Sequence, residues 1–165
     1  MKKTWFLLIL TAMLVLSACS DKKEVDANET HDGHAHGELE NGDIQEETAS
    51  VDEMPSFLSD KPKEMQMVYA AAGKAADLLD WIPCYCGCGE SAGHLSNKNC
   101  FVHDIKEDGT VVWDDHGTRC LVCMEIAIES IKMQQEGKSL KEIRETIDKT
   151  YNEGYAAPTN TPMPS

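Results

Sequence analysis

Positive charge is scarce in this sequence: 15 Lys and Arg stand against 29 Asp and Glu, a formal net charge of −14. A chain with that balance repels a phosphate backbone, which excludes nucleic acid as a partner. Aromatic residues make up 6% of the chain, so the core they can help build is modest. Long apolar runs are missing too; the stretch from Trp5 to Leu16 is too short for a spanning helix. No internal repeat, phosphate loop, nucleophile–base pair or paired-carboxylate site stands out, which argues against a hydrolase or transferase.

Cysteine is what the chain does have. The run Pro83-Cys84-Tyr85-Cys86-Gly87-Cys88-Gly89 presents thiols at every second position, and Cys100 and the pair Cys120-Leu121-Val122-Cys123 follow it. Neighbouring cysteines at the spacing of the first group form only a strained disulfide with one another, so they look elsewhere for partners, and side chains so close together can converge on one soft ion. His94, His103 and His116 are interleaved among the thiols.

The beginning of the chain sets the expected compartment. Lys2 and Lys3 precede the apolar stretch and Leu16-Ser17-Ala18-Cys19 closes it, the charged, apolar and small-residue order of a secretory signal. A cysteine directly after the small residues makes residues 1–18 look like a bacterial lipoprotein signal, with Cys19 lipidated as the mature N-terminus and membrane lipid as its partner. Two or more acyl chains on one residue hold a protein stably on a membrane. The expected location is therefore extracytoplasmic, lipid-anchored on the cell membrane, with six thiols left in the mature chain.

Residues 19–53 read as an acidic, self-repelling, disordered tether, since 12 acids between Ser20 and Glu53 face only Lys22 and Lys23. Within it, His31, His34 and His36 form an auxiliary cluster that can collect Zn²⁺ or Cu²⁺ loosely. The folded part is expected over 54–154, with a disordered Pro/Thr/Asn tail over 155–165. Met65, Val68, Tyr69, Ala72, Ala76 and Leu79 recur at helical spacing, predicting a helix from about Lys61 to Asp80 that ends before Pro83. Phe101 to Ile105, a turn at Asp108-Gly109 and Val111 to Trp113 read as a short hairpin. Leu121, Met124, Ala127, Ile128 and Ile131 predict the inward stripe of a second helix, from about Thr118 to Glu136, capped by Gly137. Ser139-Leu140-Lys141-Glu142 is a capping box opening a third, which runs to about Asn152. The expected fold is mainly α: a small domain of three helices with a cysteine-rich loop and a short β-hairpin.

Pro83 to Cys88 matches letter for letter the motif of a family of bacterial lipoproteins named for Pro-Cys-Tyr-Cys-Gly-Cys, and the chain resembles that family over the domain after Met54. The resemblance implies lipoprotein character and the importance of Cys84, Cys86 and Cys88. It supplies no reaction and no bound species.

The chemistry must therefore be read from the residues. Cys120-Leu121-Val122-Cys123-Met124 lacks the histidine that haem attachment needs, and no βαβ pattern surrounds it to suggest a thioredoxin-like fold. Placed in the first turn of a helix, that pair favours the thiolate. Cys84, Cys86, Cys88, Cys120 and Cys123 are expected around one soft site for copper or zinc, with Cys100 or His116 as further ligand. Asp114 and Asp115 read as turn and cap acids that could also orient His116. Thioethers from Met65, Met67 and Met124 would favour Cu(I), though methionines also serve as core packing. An iron–sulfur cluster needs the same thiols but fits an exported compartment poorly. The expected function is a membrane-anchored metal-binding lipoprotein that sequesters ions or hands them to a metal-receiving membrane or exported protein, without catalysing a reaction. The alternatives are a thiol–disulfide protein using Cys120 and Cys123 and a disulfide-stapled interaction module.

Overall fold

The computed structural model describes residues 36–38, 42–87 and 89–165. Cys19, His31, His34 and Cys88 lie outside the described residues, as does the expected signal segment 1–18; of His36 only the backbone is described.

The first helical segment starts where Pro62 fixes the backbone ahead of it: α1 spans Lys63–Lys74. It does not run on to Asp80 as one piece. Ala75 leaves helical geometry, with φ −105° and ψ 20°, and a short α2 follows over Ala76–Leu79. α3 covers Gly89–Ala92. α4 spans Leu121–Gln135 and α5 Leu140–Tyr151, the latter opened by the Ser139/Glu142 capping box. Gly137, at φ +83°, adopts the left-handed conformation that ends α4, and Lys138 N–H bonds back to the Met133 carbonyl. The inward face of α4 differs from the expected stripe. Cys123, Ile126, Ala127, Ser130 and Met133 are buried, whereas Leu121 and Ile128 are exposed. Apolar residues surround this helix, so periodicity alone does not choose its face.

The protein is mixed α/β rather than purely helical: the helices and hairpin expected are joined by further strands. β1 (His36–Glu38), β2 (Ile44–Thr48), β3 (Val102–Ile105) and β4 (Val111–Asp114) form an antiparallel sheet in the order β1-β2-β4-β3. The hairpin β3–β4 falls where the sequence placed it, turning at Gly109 with φ +90°. β1 and β2 come from the stretch read as tether, and β2 pairs with β4 from Gln45↔Asp114 to Thr48↔Val111. The disordered reading of residues 44–53 is thus corrected. After Ile44, β2 is polar, and side-chain bonds add to its strand pairing: the fully buried Glu46 carboxylate accepts from Ser56 N–H at 2.6 Å and Ser56 Oγ at 3.0 Å, and Thr48 Oγ1 accepts from Trp113 Nε1 at 2.8 Å.

The tail is corrected as well. Thr159 brackets Cys84, its N–H donating to the Cys84 carbonyl at 3.0 Å and its Oγ1 accepting from Cys84 N–H at 2.9 Å. Arg144, buried on α5, donates to the Pro162 and Thr161 carbonyls at 2.8 and 3.2 Å. Hydrogen bonds to distant residues, which composition does not reveal, fix this segment. The core lies between helices and sheet around Tyr69, Phe101, Trp113, Leu79, Ile82, Ile126 and Ile147. Tyr69 meets Phe101 edge-on at 5.1 Å and donates its hydroxyl to the Asp114 carbonyl. Among the described residues no helix is long and apolar enough to cross a membrane.

Candidate metal centre

Three elements deliver free thiols to one buried point. Cys84 leaves the end of α2 on a loop that Asn97 N–H pins through the Ile82 carbonyl at 2.7 Å. Cys100 closes the 3₁₀ turn Asn97–Cys100, and Cys123 lies in the first turn of α4, its carbonyl accepting from Asn97 Nδ2 at 3.2 Å. All three are buried and free. The sulfur separations are 3.4 Å for Cys84–Cys123, 3.8 Å for Cys84–Cys100 and 2.9 Å for Cys100–Cys123.

A second trio, Cys86, Cys120 and Cys123, shares Cys123 and is partly open to solvent. Cys86 is disulfide-bonded, so this trio becomes a ligand set only once Cys86 is reduced. Its sulfur lies 2.9 Å from that of Cys84. The five described cysteines of the expected site therefore gather, as two sets joined at Cys123. Cys120 is the N-cap of α4, one position earlier than the expected first turn.

His116 takes a different place. It groups with Asp43 and His94, its Nδ1 3.2 Å from each Asp43 oxygen. Asp114 caps the turn by accepting from His116 N–H, and Asp115 binds Arg119. The acid holding the imidazole is thus Asp43, 73 residues away. Sequence reasoning passed over Asp43, one acid among many in the acidic stretch, and noted His94 among the thiols without giving it a role; its Nδ1 lies 3.5 Å from Cys100 Sγ. Met65 and Met124 pack partly buried against the core, and Met67 is 70% exposed.

The thiols divide their protons unequally. Hydrogen bonds from Cys100 and then Cys123 pull Cys84 down to about 3 against the effect of burial. Cys123 is pushed up, first by its bond to Cys100, then by those to Cys120 and Cys84. Cys100 is also raised: the Cys123 bond lowers it, but the Cys84 bond and burial prevail. Cys120 is lowered to about 6, chiefly by its bond with Cys123. Burial, then the neighbouring His116, lowers His94 and favours the neutral imidazole, the form that binds metals.

The donor set fits a soft ion. Sulfurs around a tetrahedral zinc ion, with Zn–S of about 2.3 Å, stand about 3.8 Å apart, and a sulfur and a nitrogen about 3.6 Å. The Cys84–Cys100 distance of 3.8 Å and the Cys100–His94 distance of 3.5 Å fall on those values. The Cys100–Cys123 distance of 2.9 Å must open to accept an ion. A cavity of about 600 Å³, lined by Cys84, His94 and the tail residues Ala156 to Asn160, borders the trio.

A small sheet-and-helix domain with a buried cluster of free thiols able to hold a metal ion defines the class of this protein. The chain belongs to the family described as proteins of unknown function with a PCYCGC motif, whose model matches residues 7–164. The match reaches well ahead of Met54, where the resemblance read from the hexapeptide began. No curated protein and no solved structure matches the chain.

Proposed function

We propose that this protein is an exported, membrane-anchored lipoprotein that sequesters or hands over a soft metal ion, Cu(I) in preference to Zn²⁺, at Cys84, Cys100 and Cys123. The observation that carries this reading is the convergence of three free, buried thiols, from three elements, with sulfurs 2.9 to 3.8 Å apart. Three thiolates are a donor set that soft ions select, and they suit Cu(I) without a fourth ligand. Zinc would recruit His94 as its fourth. The cavity beside Cys84 gives an ion, or a receiving membrane or exported protein, a way to the sulfurs. Leu16-Ser17-Ala18-Cys19 supports the anchor and the exported location.

Loading requires Cys100 and Cys123 to give up the protons their raised pKa values retain, so apparent affinity rises with pH. Titration of the reduced chain with Cu(I), followed by native mass spectrometry and thermal unfolding, is expected to give a defined stoichiometry and a higher melting temperature. Cys84→Ser and Cys123→Ser should weaken binding far more than the surface change Lys141→Ala. Equal affinities in the three variants would remove the reading.

Thiol–disulfide exchange is a second reading with its own support. The Cys84 sulfur, held near thiolate, lies 2.9 Å from the disulfide-bonded Cys86. Attack there would form a Cys84–Cys86 bond and release the former partner of Cys86 as a thiolate. Retention of full Cu(I) stoichiometry in Cys86→Ser separates the two readings in favour of metal binding.

A further inference from the structure

The thiol trio leaves a second cluster unexplained. Asp43, His94 and His116 each bring a ligand atom within 4.8 Å of the others. They arrive from distant parts of the chain: Asp43 from the position directly before β2, His94 from the loop after α3, His116 from the turn Asp115–Arg119. Asp43 and His94 are buried, and the His116 side chain keeps 14% of its surface. The two imidazoles meet edge-on at 4.6 Å. A nitrogen and an oxygen bound to one tetrahedral zinc ion, at bonds of about 2.0–2.2 Å, stand about 3.3 Å apart. His116 Nδ1 lies 3.2 Å from both Asp43 oxygens, so an ion can replace the proton they share with little movement. The surroundings favour a cation. Asp114 and Asp115 are buried with Asp43 and within 4.8 Å of it, and Arg119, which pairs with Asp43 and Asp115, is half-exposed.

We propose that Asp43, His94 and His116 form a second metal site, of nitrogen–oxygen character, that takes a borderline divalent ion such as Zn²⁺ or Cu²⁺ beside the thiol trio. Imidazole and carboxylate select such ions, whereas the sulfur trio selects a softer one. His94 joins the two sites. Its Nδ1 faces Cys100 Sγ at 3.5 Å, so an N–H directed at the sulfur leaves Nε2 for the ion, the arrangement in which a ligating histidine donates its other nitrogen to an anion. The proposal rests on the metal-binding reading above only for the ion that fills the sulfur trio; its own ligands and geometry are separate.

Co²⁺ is the probe, because its visible bands distinguish nitrogen and oxygen ligands from sulfur. The full chain carrying His31→Ala, His34→Ala and His36→Ala, which silences the tether histidines, is reduced, filled with Cu(I) and titrated with Co²⁺. The expected result is about one Co²⁺ per chain, with d–d bands and no sulfur-to-cobalt charge transfer. Asp43→Asn and His116→Gln should each weaken Co²⁺ binding roughly tenfold or more while Cu(I) stoichiometry is retained. Where His116→Gln loses its circular dichroism spectrum, Asp43→Asn, which keeps shape and an acceptor oxygen, decides. Absence of Co²⁺ binding by the Cu(I)-filled chain overturns the proposal, as does binding that Asp43→Asn leaves unchanged. Sulfur-to-cobalt charge transfer overturns it too, placing His94 with the three thiols in one mixed site. A chain that takes no Cu(I) yet binds Co²⁺ without charge transfer overturns the thiol reading and retains this one.

Discussion

Among the described residues two thiols, Cys84 and Cys120, are driven toward the thiolate, and exposure separates what they can do. Cys84 is the more strongly ionised but is 1% exposed, while Cys120, lowered to about 6, is half-buried at the start of α4. The thiolate is the nucleophile, so reaction at Cys120 is full above its pKa and falls away as pH drops through about 6. In the metal-free chain, iodoacetamide should therefore label Cys120 first, with a midpoint near pH 6, and Cys120→Ser should remove that fast phase. Peptide mapping across a pH series checks this. A midpoint near the ordinary thiol value of about 8.5, or first labelling at Cys84, would contradict it.

At the scale of elements, the turn Asp115–Arg119 ties the sheet to the site. It follows β4, carries His116 and leads directly into Cys120 and α4. Gly117 allows it to lie against the turn that ends at Cys100: a Cβ there would meet the Cys100 carbonyl oxygen at 2.7 Å and the Phe101 ring at 2.8 Å. Neither atom can yield easily, since one is backbone and the other belongs to a fully buried side chain. Gly117→Ala is expected to cost about 1–3 kcal/mol of stability. It should also weaken metal loading, because Cys100 and His116 lie on the two surfaces forced apart. Urea unfolding with the same slope and an unchanged midpoint would show that the close approach carries no cost.

For the whole molecule, the fold presents the thiol cluster beneath its own C-terminal segment. Thr159 is bonded to Cys84, and Arg144 on α5 secures Thr161 and Pro162. On the proposed reading, a lipid at Cys19 holds this cluster near a membrane and close to any receiving protein. Cys19→Ala should move the protein from the membrane to the soluble fraction or block its processing. Fractionation and intact-mass measurement read the outcome directly, and unchanged retention with unchanged mass would remove the anchor.

The sequence by itself determined α5 through the Ser139/Glu142 capping box, the end of α4 through Gly137 and the β3–β4 hairpin through Asp108-Gly109, because each is a local device whose geometry a few adjacent residues set. It also marked the cysteines, since thiols at such spacing are chemically conspicuous wherever they fall. What only the tertiary structure decided is the pairing of distant groups. β2 is polar and earns its place through strand pairing with β4 and through Glu46, neither of which leaves a hydrophobic period to read. The face of α4 was settled by which side meets the core. The division of the thiols into two sets joined at Cys123, and the placing of His116 with Asp43 and His94, follow from chain crossings that bring together residues far apart in sequence. No local spacing encodes them.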